Sequence, residues 1–338
     1  MTYPSHLHRF ISFSHAIRNT DKRCPGGNFF AAIAVIAGCC LTLDVTSGSA
    51  QDSIRPRPRR AAAPAEAEPT PITLTTRDGV NLRAIYLESK KAKQAVPVML
   101  IHEWGGQASP YLDLAKTMQK AGHAVLILEY RGHGASRTYT DRRGNTKNFD
   151  TQRMGRREIE AIISADIESA KGFLKEQNNE GKLNLNALVM IGISEGAIFA
   201  SHWAQRDWAF PSVGRIKQGQ DVKGMVYVSP QKTFKGVAMD QAIRDPALLS
   251  LPTLLIVGAR SEDAEDGVRM AKQIEVAKKK AVRGREIDLK EMMLPTSLSG
   301  QALITKPEVG KTVGAAILRF IEEEVVGANG RYEWIERS

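Results

Sequence analysis

Gly192-Ile193-Ser194-Glu195-Gly196 closes the apolar run Ala187-Leu188-Val189-Met190-Ile191 and opens onto the small residues Ala197, Ala200 and Ser201. Apolar strand, sharp turn and helix, with a serine at the apex, is the pattern of a nucleophile elbow. The two glycines fit it physically, because the turn strains the serine backbone and brings helix close against strand. Proteins built on this elbow place an acid and then a histidine after the serine in the chain. The seven histidines here are His6, His8, His15, His102, His123, His133 and His202, so none follows His202. The nucleophile is legible; its general base is not.

Strand and helix patterns alternate on both sides of the elbow. Ile72-Thr73-Leu74-Thr75 and residues 82–87 alternate like half-buried strands around Asp78-Gly79, a hairpin signal. Strands are expected at 96–101, 124–128, 187–191, 224–228, 254–257 and 287–294. Helices are expected at 111–121, 158–176, from the elbow to about 206, at 268–277 and at 313–326. Continuous apolar strands separated by helices predict an α/β fold with a mostly parallel sheet covered on both faces. Neither G-x-x-x-x-G-K-S/T nor G-x-G-x-x-G occurs, which disfavours nucleotide binding.

The first fifty residues differ in composition. Arg9, Arg18, Lys22 and Arg23 precede the apolar stretch Phe29-Phe30-Ala31-Ala32-Ile33-Ala34-Val35-Ile36-Ala37-Gly38, and Gly48-Ser49-Ala50 is a small-residue cleavage site. The apolar stretch is short for a bilayer span, so residues 1–50 read as an export signal cleaved after Ala50, to the periplasm or outside. Ile36-Ala37-Gly38-Cys39 offers a second reading, a lipid anchor on Cys39 that would tether the protein to a membrane. The apolar Cys40-Leu41-Thr42-Leu43 that follows ranks it second. All three cysteines lie in this segment, so the mature chain would have no disulfide and no thiolate metal site. Its formal charge of +10 falls by only two on cleavage. Residues 51–71, rich in Arg, Pro and Ala, read as a semi-extended tether, 72–326 as the folded domain and 327–338 as a tail.

The opening hairpin, the strand ending His102-Glu103-Trp104-Gly105-Gly106, the strand running into Tyr130-Arg131-Gly132-His133-Gly134-Ala135-Ser136, and the elbow come in one order. In that order they resemble the α/β-hydrolase superfamily, serine hydrolases and dienelactone-hydrolase-like proteins among them. The resemblance covers about residues 72–326 and implies an eight-stranded sheet. It implies Ser194 as nucleophile of carboxylic ester or related acyl hydrolysis, with the Trp104 and Glu195 N–H groups as oxyanion donors. Losing one such donor costs about 3–4 kcal/mol. Glu103 is similar to the glutamate that dienelactone-hydrolase-like relatives carry beside the nucleophile, and reads equally as a structural carboxylate.

The acid implied by the resemblance follows the strand at 254–257. The usual spacing falls on Ser261, with Glu262 or Asp263 one or two places late, and the acidic run 262–266 also suits a helix N-terminus. The base belongs after residue 294, where Ser299-Gly300 stands in place of His-Gly; serine cannot serve as a base near neutral pH. His102 is the candidate replacement base. His133 lies in a structural turn, and His202 is eight helical residues from Ser194, about 12 Å.

Between Arg137 and Arg157 lie seven basic residues (Arg137, Arg142, Arg143, Lys147, Arg153, Arg156, Arg157) against Asp141 and Asp150. They read as a solvated loop or as a rim for an anionic ligand. Lys278-Lys279-Lys280 reads as a solvated helix end. No cofactor, metal or nucleic-acid partner is expected, and no membrane span in the mature form. Two functions stay open: a degenerate site that binds a ligand, such as a small acyl or ester compound, or a partner, with weak or no turnover, or an active serine esterase using His102.

Overall fold

The computed structural model describes residues 67–141, 143–214, 216–282, 287–327 and 332–337. All lie within one compact unit, Ala61–Ser338. The leader, the Cys39 anchor, Arg142 and most of the tether lie outside the described residues. Strand β1 (Thr70–Thr75) begins two residues before the expected start, and Pro71 pairs with Ile85 in it.

The main sheet adds β2 (Asn81–Leu87), β3 (Pro97–Ile101), β4 (Ala124–Glu129), β7 (Leu188–Ile193), β8 (Val222–Val228), β11 (Thr253–Gly258) and β12 (Leu289–Leu294). Their spatial order is β1-β2-β4-β3-β7-β8-β11-β12, with β2 antiparallel to both neighbours and every later pairing parallel. This is the eight-stranded, mostly parallel sheet expected. Two short hairpins lie outside it, β5 (Thr138–Thr140) with β6 (Thr146–Asn148) and β9 (Thr233–Phe234) with β10 (Val237–Ala238).

Successive side chains of a strand point to opposite faces, and both faces here are apolar. Met99, Leu126, Met190, Met225 and Leu255 pack on one side with Ile167 and Leu174 of α3 (Ile167–Asn179), Phe199 and Trp203 of α4 (Glu195–Trp208), and Ile274 of α7 (Ala264–Val282). Val98, Ile127, Ile191, Val226 and Ile256 pack on the other with Met118 of α1 (Leu112–Ala121) and Ile317 of α9 (Pro307–Phe320). Helix α2 (Arg156–Ala161) runs into α3 through a π-helical stretch, Ile162–Asp166. Between β8 and β11 come α5 (Met239–Ile243) and α6 (Pro246–Leu249), and α8 (Gln301–Thr305) precedes α9. Among the described residues no helix is long and apolar enough to cross a membrane.

Three polar ties fix the loops at the strand ends. Glu129 accepts from the Ala108 and Ala135 N–H groups, both at 2.8 Å, joining the loops after β3 and β4. Arg131 is bonded to Asp166 at 2.6 Å and to Asp78 at 2.8 Å. The π-helical turn thereby meets the opening hairpin. The third tie corrects an expectation: Lys278 is not solvated but 1% exposed, its ammonium donating to the carbonyls of Leu249 and Leu251. Burial pushes its pKa down to about 8.

Residues 332–337 are held closely, which the expected tail does not convey. The Asn184, Asn186 and Asn178 amides donate to the carbonyls of Tyr332 (2.7 Å), Glu333 (2.9 Å) and Ile335 (2.9 Å). Arg337 is 4% exposed, with its guanidinium on Asp221 and on the Lys217 carbonyl.

Candidate active site

Ser194 sits between β7 and α4 at φ 47°, ψ −116°. That left-handed backbone costs about 1–3 kcal/mol in a non-glycine residue and persists only when its surroundings fix it. The Ser194 N–H donates to the Val228 carbonyl at 3.0 Å, and its own carbonyl accepts from Ala197 at 3.1 Å. A Cβ on Gly192 would collide with the Ala197 backbone, and one on Gly196 with the carbonyls of Ile101 and His102. Both glycines are therefore demanded by close approach, the second by that of α4 to the end of β3.

The residues after β11 and β12 converge on this elbow. Ser261 turns its hydroxyl back to the Gly258 carbonyl at 2.8 Å, and Glu262 is exposed. Asp263 is half-buried. Its Oδ1 accepts from Gln231 Nε2 at 2.9 Å and its Oδ2 from the Ser299 hydroxyl. A carboxylate serving only as a helix cap would accept from backbone N–H groups of its own first turn; this one is turned to two side chains from other loops. Gly300 N–H donates to Ser229 Oγ at 2.9 Å. Gly300 itself has φ 50°, and a Cβ built on it would lie 2.7 Å from Ser194 Oγ. Asp263, Ser299 and Gly300 thus lead from the acid position to the nucleophile with no imidazole among them. Ser229 (φ 46°) and Gln231 were not singled out in the sequence. The Ser229-Pro230 turn directly after β8 is the only local signal they leave.

His102 is not placed as a replacement base. Its Nδ1–H donates to the Glu103 carbonyl at 2.7 Å, its ring stacks on Tyr130 at 4.5 Å, and its buried Nε2 has no hydrogen-bond partner among the described residues. Burial holds its pKa down to about 3, far from the range of a working base. His133 Nδ1–H donates to the Arg131 carbonyl at 3.0 Å, and His202 Nε2–H to that of Ala238 at 2.8 Å.

The oxyanion side also departs from expectation. The Trp104 N–H does not point into open space; it donates to Glu195 Oε2 at 3.0 Å. A carboxylate therefore occupies one of the two expected donors. Glu103, next along the loop, takes the Tyr111 hydroxyl, and burial, helped by Glu195, raises its pKa. The Trp104 ring packs against His133 (4.3 Å) and Phe234 (5.0 Å). Lys235 Nζ stands 4.6 Å from its centroid. Among the described residues no cluster of side chains could hold a metal ion.

Residues 92–237 match the family described as serine aminopeptidase, S33. Solved structures share the fold: an esterase from Pyrococcus furiosus (16% identity, 76% of this chain and 91% of that one, TM-score 0.53) and a dienelactone hydrolase from Anabaena variabilis (16%, 77% and 100%, 0.51). The chain has the α/β-hydrolase fold. A carboxyl esterase from Bacillus coagulans is also similar to this α/β-hydrolase-fold protein (12% identity, 77% of this chain and 99% of that one, TM-score 0.56). No curated protein matches its sequence. In the basic stretch 137–157, Lys147 pairs with Asp141 (2.8 Å), Arg153 with Asp150 (3.4 Å) and Arg156 with Glu160 (2.9 Å).

Proposed function

We propose that this α/β-hydrolase-fold protein is exported, binds a small acyl or ester ligand beside Ser194 and turns it over weakly or not at all. The observation that carries the reading is the bond from the Ser299 hydroxyl to Asp263, made where an imidazole would have to stand, with Gly300 closing on Ser194. A serine hydroxyl without a base is almost wholly protonated at neutral pH and attacks poorly.

Glu195 acts in the same direction. A ligand carbonyl must displace its carboxylate to reach the Trp104 N–H. An oxyanion forming about 4 Å from that carboxylate would be opposed by roughly 4 kcal/mol at an effective dielectric near 20. That is as large as what one oxyanion donor contributes, about 3–4 kcal/mol. Ground-state carbonyls, which carry little charge, suffer far less, so binding survives where turnover does not. The export half of the proposal rests on the leader pattern of the first fifty residues, and a lipid anchor at Cys39 is its alternative.

Calorimetric titration with a short acyl anilide, followed by recovery of the anilide, tests the reading. Saturable binding with the amide recovered whole, lost on Ser194→Trp, is expected. Cleavage at ordinary hydrolase rates during the titration, or binding untouched by Ser194→Trp, would contradict it.

A further inference from the structure

A polar cavity of about 350 Å³ opens beside the distal half of α4, lined among others by Arg156, Ser164, His202, Arg206 and Gln241. His202 and Arg206 lie eight and twelve residues beyond Ser194, about 12 and 18 Å along the helix. We propose that this cavity is a binding site for a small molecule carrying a carboxylate or phosphate group, distinct from the Ser194 site.

Arg206 carries the argument. It lines the cavity with its guanidinium carbon 5.5 Å from the Phe210 ring centroid, and among the described residues no carboxylate lies within ion-pair distance of it. An oxyanion supplies the missing counter-charge, because the guanidinium fork matches a carboxylate or phosphate. The other walls are consistent. Arg156 reaches the cavity with Nε on Glu160 (2.9 Å) and Nη1 on the Gly236 carbonyl (3.5 Å). Ser164 Oγ accepts from Arg77 at 3.2 Å, which leaves its own proton to donate. Since His202 donates through Nε2 to Ala238, its Nδ1 remains an acceptor for a ligand hydroxyl. Two guanidinium groups face one carboxylate in the lining, and Arg77 stands behind.

The test is calorimetric titration of the whole chain with inorganic phosphate and, separately, with succinate, at constant ionic strength. Saturable binding of one probe is expected, and which one binds distinguishes the two ligand classes. Arg206→Gln and Arg156→Gln should each weaken it by at least about tenfold, the loss of a charge-assisted hydrogen bond. Ser194→Ala should leave it unchanged. Should Arg206→Gln melt early, the exposed Arg156→Gln decides alone. No saturation by either probe at about 10 mM, or binding indifferent to both arginines, would overturn the assignment.

Discussion

Gly300 stands against Ser194: a Cβ on the glycine would lie 2.7 Å from the serine Oγ. Hydrolysis needs a base at that edge of the hydroxyl, and this chain puts main chain there instead. The loop is not adrift, since Ser229 fixes Gly300 and Asp263 fixes Ser299. On the proposed reading, what this ordered frame lacks is one imidazole.

Ser299→His should therefore restore part of a catalytic relay, because Asp263 already faces position 299. Turnover of p-nitrophenyl acetate should rise by at least about 10²-fold, the lower end of what a positioned base contributes. Asp263→Asn in the same chain should remove the gain. No rise would show that a side chain at 299 cannot reach Ser194.

Glu195→Ala should free the Trp104 N–H. Labelling of Ser194 by a fluorophosphonate should quicken by about tenfold or more, on the scale of one oxyanion donor. Loss of a carboxylate from the first turn of α4 should lower stability by about 0.3–1 kcal/mol. Slower labelling would mean that the carboxylate assists rather than blocks.

The elbow and sheet were legible in the sequence because their causes are local. Apolar strands, the glycines at 192 and 196 and the helix after them need no distant partner to be recognised. The partnership of Glu195 with Trp104 joins residues 91 positions apart and leaves no local trace. Asp263 was blurred for another reason, since any helix N-terminus attracts carboxylates and the usual spacing falls on Ser261. Lys278 was misread because three consecutive lysines look solvated. On α7 only one of them faces α6, and there its ammonium finds two carbonyls.

Stability should fall as the solution is acidified from about pH 6.5. Burial holds His102, His133 and His123 down to about 3, 4 and 4. Between those values and the unfolded value near 6.5 the unfolded chain binds more protons, so stability rises with pH in that window. Asp166, raised by burial to about 6, opposes this between about 3.8 and 6, as do Glu103, Asp221 and Glu291, also raised by burial, so the comparison with a single histidine variant isolates the rings. Melting temperatures between pH 7 and 4.5 should decline, and less steeply for His133→Gln. A His133→Gln profile as steep as that of the unsubstituted protein would contradict the assignment of a neutral buried ring.

Arg337→Ala should destabilise the domain by about 3–5 kcal/mol, the scale of breaking a buried ion pair. Asp221 keeps Lys171 and Lys217, each at 3.3 Å, so the lower end of that range is expected. Urea unfolding measures it; a change below about 1 kcal/mol, the worth of an exposed pair, would show the segment to be loosely held.

Whether Ser194 has a working base is decided by steady-state hydrolysis of short p-nitrophenyl esters. Turnover should lie at least about 10³-fold below that of an intact triad enzyme, with little further loss in Ser194→Ala. Turnover at ordinary esterase rates, abolished by Ser194→Ala, would contradict this expectation.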